Sequence, residues 1–454
     1  MSTGLVPSMD GMIVRCSPAP VIARIRDWSN RIVSTFTPCT DLRAEPNPAT
    51  AAPSTTRVHA ATSTTTAHSS SGRPHLAVRD TFRILLGSNL PVRWRDRHPW
   101  STAWWLTSNT VGRVSVFPPS FAKASGIGSW PGIKPREAAE VVVGELADGL
   151  SHIVELPARG VGADMLGRAG ALLIDVAIDT VPRGYRVVTR PGAVTRRAAS
   201  LLEEDMDALE EAWEVAGLRG GDRVVKVQAP GPITLAAELE LANGHRAITD
   251  PGAVRDLTAS LAEGVAGHRA TLARRLETPV VVQFDEPSLP QALGGRLTGV
   301  TALSPVAPLD EAVAVGLLDA CVAAAGGATL LHSCASGLPW KMLQDSKIDA
   351  VSVDAGTLVA ADLDGMAGFL ESGRTIVLGV VPSSAPERRP SAEEVAAAVV
   401  AVTDRLGFGR SALRDRIGVT PACGLAGATP EWARLAIGLA RKAAEAFADD
   451  PDAI

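Results

Sequence analysis

The chain has no hydrophobic run long enough to cross a bilayer. Its apolar residues, mostly Ala, Val and Leu, come in short segments. None approaches the roughly 20 consecutive apolar residues of a spanning helix, so no membrane association is expected. Positive charge is not in excess either: 44 Lys and Arg stand against 49 Asp and Glu, a net charge of −5. No basic face is therefore expected to hold nucleic acid. Cysteine is scarce, with five in 454 residues and no paired spacing. That argues against a disulfide scaffold and for a reducing, cytoplasmic setting. Nor does a Gly-rich dinucleotide turn follow any strand candidate, which weakens a doubly wound nucleotide-binding sheet.

What is present divides near residue 113. Residues 1–113 hold a Ser/Thr/Ala/Pro-rich tract from Pro46 to Arg73, then an Arg- and Trp-rich patch from Arg79 to Trp105 with neither a helical nor a strand period. This composition predicts a disordered low-complexity extension, or a start site set too far upstream in the gene. A targeting or interaction tail is the alternative.

Residues 114–454 are expected to form the folded part. Short β-branched runs alternate there with longer amphipathic segments. The strand candidates are Ala124–Gly128, His152–Leu156, Arg223–Gln228, Pro279–Phe284, Ala328–His332, Ala350–Asp354, Thr375–Val380 and Ile417–Thr420. Helical stretches lie between them, among them Pro135–Leu150, Val194–Ala216, Asp250–Leu276, Leu309–Ala325, Ser391–Leu406 and Thr429–Phe447. Pro135 and Pro430 sit near helix starts, and Ser391 and Thr429 are natural N-caps. Strand–helix units repeated in this way predict an α/β fold, a (β/α)8 TIM barrel, with an open doubly wound sheet as the alternative.

In such barrels reactive groups project from the C-terminal strand ends. Here those ends carry Ser129, Glu155, Gln228, Asp285 with Glu286, His332 with Cys334, Asp354, Ser383 with Ser384, and Cys423. His332 and Cys334, two apart, face one side of an extended segment. Cys423, ending the eighth strand, opens onto the same mouth. Two thiols and an imidazole make a zinc site with an open position, able to bind and deprotonate a substrate thiol. Asp354 is a candidate fourth ligand, or else a loop carboxylate or helix N-cap. Asp285 and Glu155 suit the ammonium of an amino acid, or instead pair with a loop arginine, Arg159 in the case of Glu155. The segment Gly126-Ile127-Gly128-Ser129 offers backbone donors and a hydroxyl to a carboxylate, or is simply a tight turn. The amides that open a helix after Gly231-Pro232 could hold an anion.

These segments, in this order, resemble cobalamin-independent methionine synthase in its C-terminal catalytic barrel. The matching pieces are Ile127-Gly128-Ser129, Glu155, Gly231-Pro232-Ile233-Thr234, Gln283-Phe284-Asp285-Glu286-Pro287, His332-x-Cys334 and Pro421-Ala422-Cys423-Gly424-Leu425. The resemblance implies a barrel related to uroporphyrinogen decarboxylase and methyl transfer from methyltetrahydrofolate to homocysteine on zinc. It implies His332, Cys334 and Cys423 as zinc ligands, with Asp354 near the fourth, a glutamate in the family. It implies Ser129 on the homocysteine carboxylate and Glu155 and Asp285 on its amine.

The chain departs from the family pattern at three points. Residues 1–113 cannot supply the additional N-terminal barrel of the long form, so a short, single-barrel form is expected. The family's Asp-x-His-Ser segment, whose His would protonate the departing folate, reads Val381-Pro382-Ser383-Ser384 here, so no catalytic proton donor is assigned near Ser384. The helix after Gly231-Pro232 has Glu238 near the place of a pterin-stacking tryptophan. The expected partners are therefore a homocysteine-like thiol and a methyl donor, either a folate or a methyl-corrinoid protein. The rival readings are a corrinoid-dependent thiol methyltransferase, or a barrel of another kind: a zinc lyase or a degenerate binding protein.

Overall fold

A computed structural model of the chain describes residues 121–301 and 304–453. The expectations for residues 1–113 lie outside the described residues.

Ten strands occur among these residues: β1 (Ser151–His152), β2 (Ala177–Val181), β3 (Gly184–Val188), β4 (Val225–Pro230), β5 (Leu239–Glu240), β6 (Val280–Asp285), β7 (Thr329–Ser333), β8 (Ala350–Asp354), β9 (Thr375–Val381) and β10 (Ile417–Pro421). Seven of them form one all-parallel sheet in the order β1-β4-β6-β7-β8-β9-β10. Residues 124–125 close it: Ala124 bridges Val419 of β10 and Ser125 bridges Leu150 beside β1, both parallel. Eight strand positions thus run round a closed α/β barrel, as expected. The first two are shorter than expected, since Gly126–Gly128 leaves the ladder to form a loop before Ser129 bridges Glu155.

The helices start where the sequence supplies caps. Asp250 accepts from the amides of Gly252 and Ala253 ahead of the helix Pro251–Leu276, and Asp310 does the same for Ala312 and Val313. Ser391 and Glu394 form a reciprocal capping box, and Thr429 caps Trp432 with Pro430 in the first turn. Each device satisfies amides that the helix cannot bond itself.

The period-2 alternation of the strands sorts the core. Val280, Val282, Phe284, Leu331, Val351, Val353, Ile376, Leu378, Ile417 and Val419 join the large apolar cluster under the helices. The alternate positions Leu150, Val281, Leu330, Ala350 and Val377 join Phe121 in a separate buried cluster at the base of the barrel interior. Further along the same inward rows the chemistry changes. Val281 is followed by Gln283 and Asp285, Leu330 by His332 and Cys334, Ala350 by Ser352 and Asp354, and Leu150 by His152. The barrel is apolar at its N-terminal end and polar at its mouth.

One element was not expected. β2 and β3 form an antiparallel hairpin joined in parallel by β5. The hairpin occupies the connection between the second and third barrel strands, and β5 comes from the connection between the third and fourth. The hairpin is tied by Tyr185, whose hydroxyl donates to Asp164 and accepts from the amide of Gly162.

Candidate active site

β7 and β10 bring the thiols and imidazole together across the mouth. One donor atom from each of His332, Cys334 and Cys423 lies within 4.8 Å of the others. His332 is buried, its Nδ1 is 3.1 Å from Ser352 Oγ on β8, and its buried Nε2 has no hydrogen-bond partner. Cys334 and Cys423 are free thiols with sulfurs 2.8 Å apart. The hydrogen bond with Cys334 holds Cys423 well below the usual thiol range, helped by the His332 ring. The same bond, with burial, pushes Cys334 well above that range. The cluster is two sulfurs in contact and one imidazole nitrogen without a hydrogen-bond partner.

That set fits zinc. A buried imidazole nitrogen without a partner is costly unless something fills the gap. Nitrogen and two soft sulfurs are the ligands zinc takes, and the Ser352 bond to Nδ1 is the outer support that orients such a histidine. Asp354, half-buried at the end of β8, stands beside this set. Its Oδ1 accepts from the amide of Gly356 at 2.8 Å and so caps the turn that follows. Burial raises its pKa, and its charge is felt by both thiols.

Asp285 and Glu155 are both buried near the mouth. Asp285 pairs in register with His332, and its Oδ1 accepts from Gln283 Nε2 at 2.7 Å. Burial, then the charge of Glu155, pushes Asp285 well above the usual carboxylate range. Burial likewise raises Glu155, against the pull of Arg168, 4.0 Å away. Arg159 is not its partner: that guanidinium bonds Asp205 at 2.5 Å and Glu204 at 3.3 Å. Asp205 is fully buried and also binds Arg168, so the acid is held from behind by an ion network.

Ser129 bridges Glu155 through the backbone, with the Trp130 amide donating to the Glu155 carbonyl at 2.8 Å. Its hydroxyl lies where a Cβ on Gly424 would come within 2.0 Å, so it packs on the residue beside Cys423. The loop needs its glycines. Gly128 has φ +148°, and a Cβ there would lie 2.5 Å from Gln228 Nε2; one on Gly126 would lie 2.3 Å from His152 Nε2. Ser129, Glu155, Asp285, His332, Cys334 and Cys423 thus line one mouth, whereas Ser384 is exposed on the loop after β9.

The anion expected after Gly231-Pro232 is the protein's own. Glu286 accepts from the amides of Ile233 and Thr234 and from the Thr234 hydroxyl, at 2.7–2.9 Å. Burial still lifts its carboxyl to about 7. A Cβ on Gly231 would lie 2.1 Å from the Glu286 carboxylate, so the glycine makes room for it. Glu238 is engaged with Arg246 and with the Ser288 hydroxyl.

Several residues beneath the mouth were given no role from the sequence: Lys226, Gln283, Ser352, His152 and Arg168. Lys226 is wholly buried, and its ammonium donates to the Gly126 carbonyl and to Gln283 Oε1. Burial brings its pKa down to about 7, while Asp285 and Glu155 hold it up. The inward alternation of β4 carries the signal, because a lysine flanked by Val225 and Val227 on a central strand must face the interior.

A family model described as the catalytic domain of cobalamin-independent synthase matches residues 121–446, more than half of the chain. No curated protein matches the chain. Among solved structures it is similar to a B12-independent methionine synthase from Shewanella sp. W3-18-1 in complex with selenomethionine. That likeness is at 14% identity and TM-score 0.48, over 72% of this chain and 97% of that one. A methyltransferase from Methanosarcina mazei is similar at 14% identity and TM-score 0.44, over 73% of this chain and 93% of that one. From the family match over its barrel, this chain belongs to the cobalamin-independent synthase catalytic-domain family.

Proposed function

We propose that the chain is a zinc-dependent S-methyltransferase that methylates the thiol of homocysteine or a similar amino acid, a step of methionine biosynthesis. The observation that carries this reading is the convergence of His332, Cys334 and Cys423 beside Asp285. Zinc held by these three would supply the Lewis acidity that makes a substrate thiol a thiolate at neutral pH. Three protein ligands leave a position for the substrate, which is the arrangement of catalytic rather than structural zinc. Asp354, with Oδ1 committed to Gly356, acts on this centre by its charge.

The chain's own residues then position the acceptor. Asp285 keeps Oδ1 on Gln283 and offers Oδ2 to the ammonium, with Glu155 as the second acid. Ser129 and the backbone of its loop receive the carboxylate. Fixing both ends of a small amino acid aims its thiol at the metal donors and removes much of the entropic barrier to transfer. The donor is a methylfolate or a methylated corrinoid. The second is favoured by the loop after β9, where Ser383 and Ser384 stand without an acid able to protonate a departing folate.

The test is zinc analysis of the purified full-length chain, followed by methyl transfer to homocysteine from methyltetrahydrofolate and from methylcobalamin. Stoichiometric zinc with turnover from either donor supports the proposal, and which donor works decides between the two. A zinc-replete protein that turns over neither leaves a zinc lyase, and one that takes up no zinc leaves a degenerate binding barrel; either sinks it.

A further inference from the structure

Below the proposed amino-acid site lies a buried ammonium that the mechanism above does not use. Lys226 sits on β4 in register with His152 of β1 and Val281 of β6. Its side chain is entirely out of solvent, yet no ion pair to a carboxylate forms among the described residues. Its Nζ donates upward on one side to the carbonyl of Gly126, with Ile127 O at 3.5 Å. On the other side it donates to Gln283 Oε1 at 2.5 Å. Gln283, also wholly buried, uses its amide nitrogen twice: on Ile127 O at 2.8 Å and on Asp285 Oδ1 at 2.7 Å.

These bonds form a closed circuit. One end is the Gly126–Ser129 loop, which carries the Ser129 hydroxyl, and the other is Asp285. Lys226 and Gln283 are the only polar links between the two ends among the hydrogen bonds of the described residues. A glutamine side chain has one oxygen and one nitrogen, and its orientation decides what Asp285 receives. With Lys226 donating to the oxygen, Gln283 must present N–H to Asp285. Without it, the buried amide oxygen loses the donor that anchors it, and the two bonds from the Gln283 nitrogen to Ile127 O and Asp285 Oδ1 are no longer held at one spacing. The buried charge also offsets the two acids above it, which would otherwise repel each other in a dry site.

We infer that Lys226 is the positioning residue of the amino-acid site, anchoring the Gln283 amide oxygen and the Gly126 carbonyl together and thereby setting the ammonium-binding acid and the carboxylate-binding loop at one spacing. The inference rests on the proposed amino-acid acceptor, and it adds which residue makes the site read both ends of that molecule at once. Ser129 and Asp285 touch the ligand; Lys226 does not.

The test is calorimetric binding to the full-length chain of three ligands: L-methionine, 3-(methylthio)propylamine without the carboxylate, and 3-(methylthio)propanoate without the amine. The wild type is expected to prefer L-methionine over each truncated ligand by about tenfold or more, the worth of one charge-assisted hydrogen bond. Lys226→Met should weaken L-methionine by about tenfold or more and shrink both preferences together. Its zinc affinity, read by chelator competition, should stay at the wild-type value. Lys226→Gln, which keeps a neutral donor, should fall between, and it is judged by the same criteria if the Met variant does not fold. Unchanged preferences in a folded variant overturn the inference and leave the amino-acid site standing. Equal losses for all three ligands and for zinc also overturn it, since they mark a merely structural lysine. A wild type that binds no L-methionine sinks the amino-acid reading, and this inference with it.

Discussion

The two ends of the barrel interior are built from the same strands with the same alternation, yet they hold opposite chemistry. At the base, Phe121, Leu150, Val281, Leu330, Ala350 and Val377 pack against one another with no polar atom among their side chains. Two or four residues further along, the inward positions are His152, Lys226, Gln283, Asp285, His332, Ser352 and Cys334. The base is satisfied by contact alone. The upper part is not: His152 Nε2, Gln228 Oε1, His332 Nε2 and Thr420 Oγ1 are buried without a hydrogen-bond partner. Native proteins leave few such atoms unpaired, and where they cluster a ligand or solvent is expected. The contrast teaches that one end of these strands holds the barrel shut while the other is incomplete without what it binds.

The contrast can be broken most sharply at the metal donors. Cys423→Ala should cut zinc affinity by more than about 100-fold, because even loss of an outer support typically costs 10–100-fold. Its unfolding free energy without metal should move by less than about 1 kcal/mol, since little packing is lost. Chelator competition and urea denaturation measure the two, and a large loss of stability with zinc affinity kept would reverse the assignment of ends. At the base the expectation is the converse. Leu330→Ala should cost about 2–5 kcal/mol by leaving a cavity. The fraction that remains folded should bind zinc as the wild type does.

The smallest effect concerns the rim. Glu286 has its carboxyl at about 7 in the folded chain against an ordinary 4.5. Between those values the folded state holds a proton that the unfolded state has lost. The stability contributed is therefore full below about pH 4.5 and lost as pH rises through 7, by at most roughly 3 kcal/mol. Glu286→Gln, which cannot titrate, should flatten this slope in urea denaturation series across that window. A slope that persists unchanged would assign it to other groups.

Much of this was legible along the chain. The barrel follows from eight β-branched runs separated by capped amphipathic helices, because both periods are local and each cap acts within a few residues. His332-x-Cys334 was legible because a strand repeats every second residue. The hairpin β2–β3 was not, since Ala177–Val188 has no alternation strong enough to stand out from a long barrel connection. The occupant of the Gly231-Pro232 turn was missed for another reason. Glu286 is far from that turn in sequence and was read only as the acid next to Asp285 at the strand end.

By itself the sequence determined the order of elements, the polar bias of the strand ends and the donor types able to hold zinc, since these depend on composition and short-range periodicity. Only the tertiary structure decided which donors meet. Closure of the barrel puts Cys423 against Cys334 and hands Arg159 to Asp205 rather than to Glu155. It also drove Lys226 beneath the acids. Such pairings join residues far apart in the chain and depend on register and on competition among neighbours, which no local pattern encodes.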